Sequence, residues 1–142
     1  NNILQDYNVK GLVEPLGFKQ SSLQFKSLAV EIINSLQKNK LQLVHDTFHH
    51  KISNDNNFFS NLTGLVHFSG VFNKFKNVDL QDDHRSIVDE FDIIDNISQI
   101  KKLIKENYNG YFSFEPFSNE LISNKNIFEI TRNCLSFIKK QI

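Results

Sequence analysis

Four short apolar runs, each ending at or next to a carboxylate or a histidine, recur along the chain with helical patterns between them. Leu12-Val13-Glu14 stops at Pro15-Leu16-Gly17, and Leu41–Asp46 at Thr47. Gly64-Leu65-Val66-His67-Phe68 stops at Ser69-Gly70, and Tyr111-Phe112-Ser113-Phe114-Glu115 at Pro116. Strands this continuously apolar belong in a sheet covered by helices, and parallel strands need a crossover of a dozen residues or more between them. The intervening segments supply those crossovers. Residues 22–38 place Phe25, Leu28, Ala29, Ile32, Ile33 and Leu36 on a 3.6-residue stripe, with Ser21-Ser22 as expected caps and an end at Asn39. Asp95 or Asn96 opens a second stripe through Ile97, Ile100, Leu103 and Ile104, and a third runs through Ile127, Ile130, Cys134, Leu135 and Ile138. The pattern predicts an α/β chain of about four parallel βα units. The charged stretch from about 70 to 94 shows no periodicity, and connections of that length in compact domains are functional or disordered.

Composition narrows the function classes. The 142 residues suffice for one domain and are too few for two. Sixteen basic and sixteen acidic residues cancel, which argues against a nucleic-acid or anionic-membrane surface. No run approaches the ~18 apolar residues of a membrane span, and the start lacks the layout of a signal peptide. A cytoplasmic protein is expected. The single cysteine, Cys134, lies in an apolar helical stripe and reads as a reduced core residue. The phosphate-binding glycine loop, the CxxC pair, the GxSxG elbow and the dinucleotide fingerprint are all missing.

The polar residues at the strand ends carry the chemistry. In parallel α/β sheets and barrels the reactive centre lies at the carboxyl ends of the strands. A single acidic residue there is ordinarily a helix cap or a solvated loop residue. Glu14, Asp46, His67 and Glu115 on successive strands would instead converge on one point. Three carboxylates and an imidazole suit one divalent cation such as Mn²⁺, Co²⁺, Zn²⁺ or Mg²⁺. Without a cation, the clustered carboxylates would repel one another. His49, three residues past Asp46 on the loop leaving the strand, is placed to reach a substrate or a second metal. His45 reads as packed or hydrogen-bonded within the wall, and His50 as exposed. Asp82-Asp83-His84-Arg85 is either a solvated charge run or a ligand pair and substrate clamp. Within it Arg85 is the best clamp, because a guanidinium gives fixed bidentate contacts. Phe48 and Phe117 follow ligand positions and read equally as core or as the pocket mouth.

Four segments carry a family likeness: Gly11–Phe18 with Gln20-Ser21-Ser22-Leu23, Leu43–His50, Thr63–Val71 and Tyr111–Phe117. Together they resemble the xylose isomerase-like TIM-barrel superfamily of sugar isomerases and epimerases, nearest the branch that isomerises 2-keto-myo-inositol. The likeness covers nearly the whole chain. Gln24 departs from it, standing where the family has a basic residue.

The resemblance implies the C-terminal half, strands 5–8, of a (β/α)8 TIM barrel, spanning residues 1–142. In that family the positions of Glu14, Asp46, His67 and Glu115 bind one divalent metal, and those of His49 and Arg85 contact substrate. It further implies an isomerase or epimerase of a sugar or keto-inositol, with a small-molecule polyol or ketose as substrate. Glu14 and Glu115 would move a proton between adjacent carbons through an enediolate. A dehydratase-type lyase, an endonuclease IV-like repair enzyme and an inactive half-barrel remnant are the rivals, and the neutral charge balance counts against the repair enzyme. A chain opening on Asn1 with no methionine is expected to be a piece of a longer product. Its partner is then the missing N-terminal half, or a second copy in a homo-oligomer.

Overall fold

The computed structural model describes residues 2–36 and 40–142. A short helix α1 (Asn2–Asp6) precedes strand β1 (Gly11–Val13), then helix α2 (Lys26–Ser35) and strand β2 (Leu41–Asp46). Helix α3 (Thr47–Ile52) and strand β3 (Thr63–Phe68) follow, then helix α4 (Asn96–Lys105) and strand β4 (Phe112–Phe114). Helices α5 (Asn119–Ile122) and α6 (Ile127–Gln141) close the chain. The strands form one parallel sheet in the order β1-β2-β3-β4. This is the expected α/β architecture of successive βα units.

The two faces of the sheet differ. Leu43, His45, Val66 and Phe68 are buried and face the helices. Leu43 packs with Ala29 and Ile33 of α2, while Val66 meets Leu103 of α4. Phe68 joins Ile100 of α4 with Cys134 and Ile138 of α6, which makes the lone cysteine the expected core residue. Residues of the opposite parity, among them Leu12 and Asp46, point to the other face. There Leu12 stays 43% exposed.

Register puts the strand-end residues on that second face. Val13 pairs with Leu43, so Glu14 shares the parity of Val44 and Asp46. Asp46 pairs with His67, and His67 with Ser113, two residues before Glu115. The Glu115 N–H donates to Phe68 O at 2.9 Å and extends the ladder past β4. A register shift lies between Leu43 and Val44, whose partners are Thr63 and Leu65, so Gly64 is the extra residue. In unshifted register Asp46 would pair with Val66 and His67 would point to the helix side. A Cβ on Gly64 would sit 2.7 Å from Leu12 Cδ2 and 2.8 Å from Gln42 Oε1, so the shifted backbone suits a residue without one.

Several sequence expectations are corrected. Helix α2 starts at Lys26 with Phe25 as its N-cap and no side-chain cap, so Ser21-Ser22 do not open it. Its expected end at Asn39 lies outside the described residues. Thr47–His49 is not a loop but the first turn of α3, because Asp46 accepts the His49 N–H at 2.8 Å and caps it. The charged 70–94 connection is folded rather than irregular. Gly70 and Ser86 exchange backbone hydrogen bonds, and Phe72 bridges Asp92. Val71 and Ile94 pack on Phe48 there, while Val88 enters the core around Phe68. A Cβ at Gly70 would fall 2.0 Å from Ile87 O, so only glycine permits this approach.

Candidate metal centre

The register delivers four side chains to one place. Glu14, Asp46, His67 and Glu115 each offer a ligand atom, and these atoms all lie within 4.8 Å of one another. Glu14 and Glu115 come from the two outer strands of the sheet and Asp46 and His67 from the two inner ones. Asp46 is buried, and the other three are half-buried.

Every carboxylate in the cluster is drawn to positive charge. The Nδ1 of His67 lies 3.1 Å from Glu14 Oε1 and 3.3 Å from Glu115 Oε2. Hydrogen bonds to Glu115 and Glu14 raise the imidazole pKa to about 10, with burial opposing them. The hydrogen bond from His67 holds Glu115 below the usual carboxylate range. Arg85 Nη2 donates to Asp46 Oδ2 at 2.6 Å and to Glu115 Oε2 at 2.9 Å. Burial pushes Asp46 up, against the pull of Arg85. A protonated histidine and a guanidinium thus hold three carboxylates together. Mixed oxygen and nitrogen donors at this spacing, with a demand for cationic charge, fit a divalent ion of intermediate hardness. Asp46 also shows that cap and ligand are compatible roles, since Oδ1 caps α3 while Oδ2 faces the cluster.

The flanking residues are also placed. Arg85 is 1% exposed, so the run Asp82–Arg85 is not simply a solvated one. Its Nε donates to Ser69 Oγ at 2.8 Å and its Nη1 to Asp82 at 3.2 Å. Its guanidinium carbon lies 5.0 Å from the Phe48 ring centre and 4.8 Å from that of Phe117, stacking contacts for a weakly hydrated cation. Phe48 is wholly buried, whereas Phe117 is 43% exposed. One ring therefore belongs to the core and the other to the rim. His49 is buried between Phe18 and Phe48, and burial lowers its pKa. Its Nδ1 is buried without a hydrogen-bond partner among the described residues. His84 is stacked on Phe75, their ring centres 4.3 Å apart.

His50, expected to be exposed, is 7% exposed instead. Lys26 Nζ, itself buried, lies 2.8 Å from the Nδ1 atoms of both His45 and His50. This second cluster escapes a sequence reading because a lysine on a helix ordinarily signals a solvated face. The flag that was available is the pattern of His45 and His50 flanking a strand end. Gln99 and Asn96, which complete the cluster, carry no signal beyond their place near the start of α4.

A profile described as xylose isomerase-like TIM barrel matches residues 2–140. A xylose isomerase domain containing protein from Salmonella typhimurium LT2 is 32% identical, with a TM-score of 0.86 over 96% of this chain and 53% of that one. The IolI protein, solved with a bound zinc atom, is 20% identical, with a TM-score of 0.69 over 99% of this chain and 50% of that one. The 3-keto-D-glucoside 4-epimerase YcjR from E. coli is 16% identical, with a TM-score of 0.65 over 98% and 49% of the two chains. At the last two identities the likeness speaks for the fold. The chain spans about half the length of these solved structures. No curated protein matches it.

Proposed function

The chain belongs to the xylose isomerase-like TIM-barrel family, and from that premise we propose that it supplies half of a metal-dependent isomerase or epimerase of a ketose or keto-inositol. The observation that carries this reading is the convergence of four ligand-bearing side chains within 4.8 Å at the strand ends. Glu14, Asp46, His67 and Glu115 would hold one divalent ion, with Mn²⁺, Co²⁺, Zn²⁺ and Mg²⁺ all compatible with the donor set. Zinc in the IolI structure supports the same reading. When bound, the ion supplies Lewis-acid polarisation of a substrate carbonyl and its neighbouring hydroxyl.

The side chains divide the remaining work. Asp46, pinned by the His49 N–H and by Arg85, is fixed as a ligand. Glu14 and Glu115 flank the centre from opposite ends of the sheet and can act as base and acid for a proton moving between adjacent carbons. Burial lowers the His49 pKa and favours the neutral ring, and its Nδ1, buried and unpartnered among the described residues, would meet a substrate oxygen only if the ring turned toward the centre. Arg85 is committed to Asp46 and Glu115 while they need a counter-charge. Were a divalent ion held by Asp46 and Glu115, Nη2 would be free to turn toward a substrate hydroxyl or oxyanion, while Nη1 keeps Asp82. Phe117 would line the rim.

The barrel is completed from outside residues 1–142. These residues supply strands 5–8, and a further four βα units close the sheet at its β1 and β4 edges, on the face where Leu12 is exposed. A longer polypeptide is the expected source, and a second copy the other. Among the described residues no helix is long and apolar enough to cross a membrane. A cytoplasmic setting is part of the proposal.

Glu115→Gln in the complete protein tests the assignment. It keeps an oxygen ligand and removes a proton acceptor. Proton exchange at the carbon beside the carbonyl of a keto-sugar is expected to slow by about 10²–10⁴-fold. Mn²⁺ affinity, read by calorimetry, is expected to fall far less. Unimpaired exchange transfers the base role to Glu14, and a native protein that binds no divalent ion removes the metal reading.

A further inference from the structure

On the helix side of β2 lies a polar network that the proposed reaction does not use. Lys26, at the start of α2, is 4% exposed and places Nζ within 2.8 Å of both His45 Nδ1 and His50 Nδ1. The tautomers follow from the next residue. Gln99 Nε2 donates to Thr47 O at 3.1 Å and to Ile94 O at 2.8 Å, which leaves its Oε1 as an acceptor. His45 Nε2, 3.0 Å from that oxygen, must therefore carry the proton. His45 Nδ1 is then a bare acceptor, and Lys26 is its donor. A second line runs alongside. Thr47 Oγ1 donates to Asn96 Oδ1 at 2.6 Å, and Asn96 Nδ2 donates to Ser69 O at 2.9 Å and to Asp92.

Both lines end on backbone that carries the metal centre. His45 and Thr47 flank Asp46, so the network grips the end of β2 and the start of α3 on either side of that ligand. Ser69 supplies the hydroxyl that receives Arg85 Nε. We propose that Lys26 is a positioning residue for the metal centre, fixing the Asp46 strand end through His45, Gln99 and the Thr47 carbonyl. The inference rests on the metal reading above. Partners beyond the ligands commonly set metal affinity because they fix where a ligand points. Here the fixing is done from the opposite face of the sheet, by a side chain that touches no ligand.

Lys26→Met keeps the stem and deletes the donor. In the full-length protein, stripped with EDTA and dialysed, Mn²⁺ alone is the probe, read by calorimetry and by the paramagnetic resonance of free Mn²⁺. Mn²⁺ is suitable because this hard ion favours oxygen donors, so the nitrogen pair His45 and His50, freed of lysine, competes poorly for it. Mn²⁺ affinity is expected to fall about tenfold or more. A merely structural lysine would lower the melting temperature of the metal-free protein and leave Mn²⁺ affinity of the folded protein within twofold, and that result overturns the inference. If Lys26→Met does not fold, Gln99→Glu carries the test by the same criterion. It retains the acceptor for His45 and removes both donors to the Thr47 and Ile94 carbonyls. A native protein without Mn²⁺ affinity brings down the metal reading and this inference together, whereas native binding that neither variant alters sinks this inference alone.

Discussion

His45 and Asp46 are neighbours on one strand, yet they belong to clusters of opposite electrostatic character. On one face, Asp46 joins Glu14 and Glu115 in a group that holds protons and cations: His67 is raised to about 10 there. On the other face, His45 joins Lys26 and His50 in a group of basic side chains that sheds protons. Burial, reinforced by the neighbouring lysine, lowers His50 to about 3 and His45 well below its usual value. Burial likewise lowers Lys26 to about 7. The first cluster is balanced by adding positive charge, and the second by removing it and donating neutral hydrogen bonds. Strand pleating puts the two back to back. A buried polar group is therefore not a site on chemistry alone, since the excess of acceptor charge separates the acidic cluster from the basic one.

The largest test of this contrast removes the internal cation from the acidic cluster. Arg85→Met leaves Asp46 buried without its guanidinium, and breaking a buried pair in this way costs about 3–5 kcal/mol. Urea unfolding of EDTA-treated protein should show that loss, and a saturating divalent ion should recover much of it. Equal losses with and without the ion would mean that Arg85 and the ion do not share a role.

A smaller effect separates the clusters by pH. His67 is raised in the folded protein, so its contribution to metal-free stability is complete below about 6.5 and lost as pH rises through about 10. Lys26 is lowered, so its penalty is complete below about 7 and relieved as pH rises toward 10.5. The two slopes oppose each other between pH 7 and 10, each at most about 1.4 kcal/mol per pH unit. Metal-free Lys26→Met should accordingly lose stability more steeply across this window than the native protein. Parallel profiles would show that Lys26 titrates alike in the folded and unfolded chains.

The smallest effect belongs to the surface. Lys51 pairs with Asp95, both side chains well exposed at 45% and 59%. Lys51→Ala should change stability by no more than about 1 kcal/mol and should leave Mn²⁺ affinity unaltered. A larger loss would tie the start of α4 to the acidic cluster through an exposed contact as well as through Asn96.

The strands, the helical stripes and the order of the four strand-end residues were legible in the sequence because each rests on local periodicity. Leu43, Val66 and Phe68 read as strand interior from their neighbours, and Cys134 as core from its stripe. Asp46 was visible as a candidate ligand at a strand end, but its cap on α3 was not, because the residues after it read as a loop. His50 was misread because a histidine in a loop just past a strand end looks solvated unless the buried lysine opposite is known. Lys26 lies 24 residues away from it in the chain. Arg85 was picked out by its chemistry, but its packing between Phe48 and Phe117 depends on how the 70–94 connection folds back through Gly70 and Ser86.

The sequence by itself determined an α/β chain with four polar residues at successive strand ends, since apolar period and strand termination are properties of adjacent residues. The tertiary structure decided whether those residues meet. The extra residue at Gly64 between β2 and β3 turns His67 to the same face as Asp46, and a single-residue slip there would send the imidazole among the helices. The shifted register suits a glycine there, because a Cβ on Gly64 would run into Leu12 and Gln42 side chains from β1 and β2. Contacts between separate strands leave no periodic trace along the chain, so only the folded sheet records them.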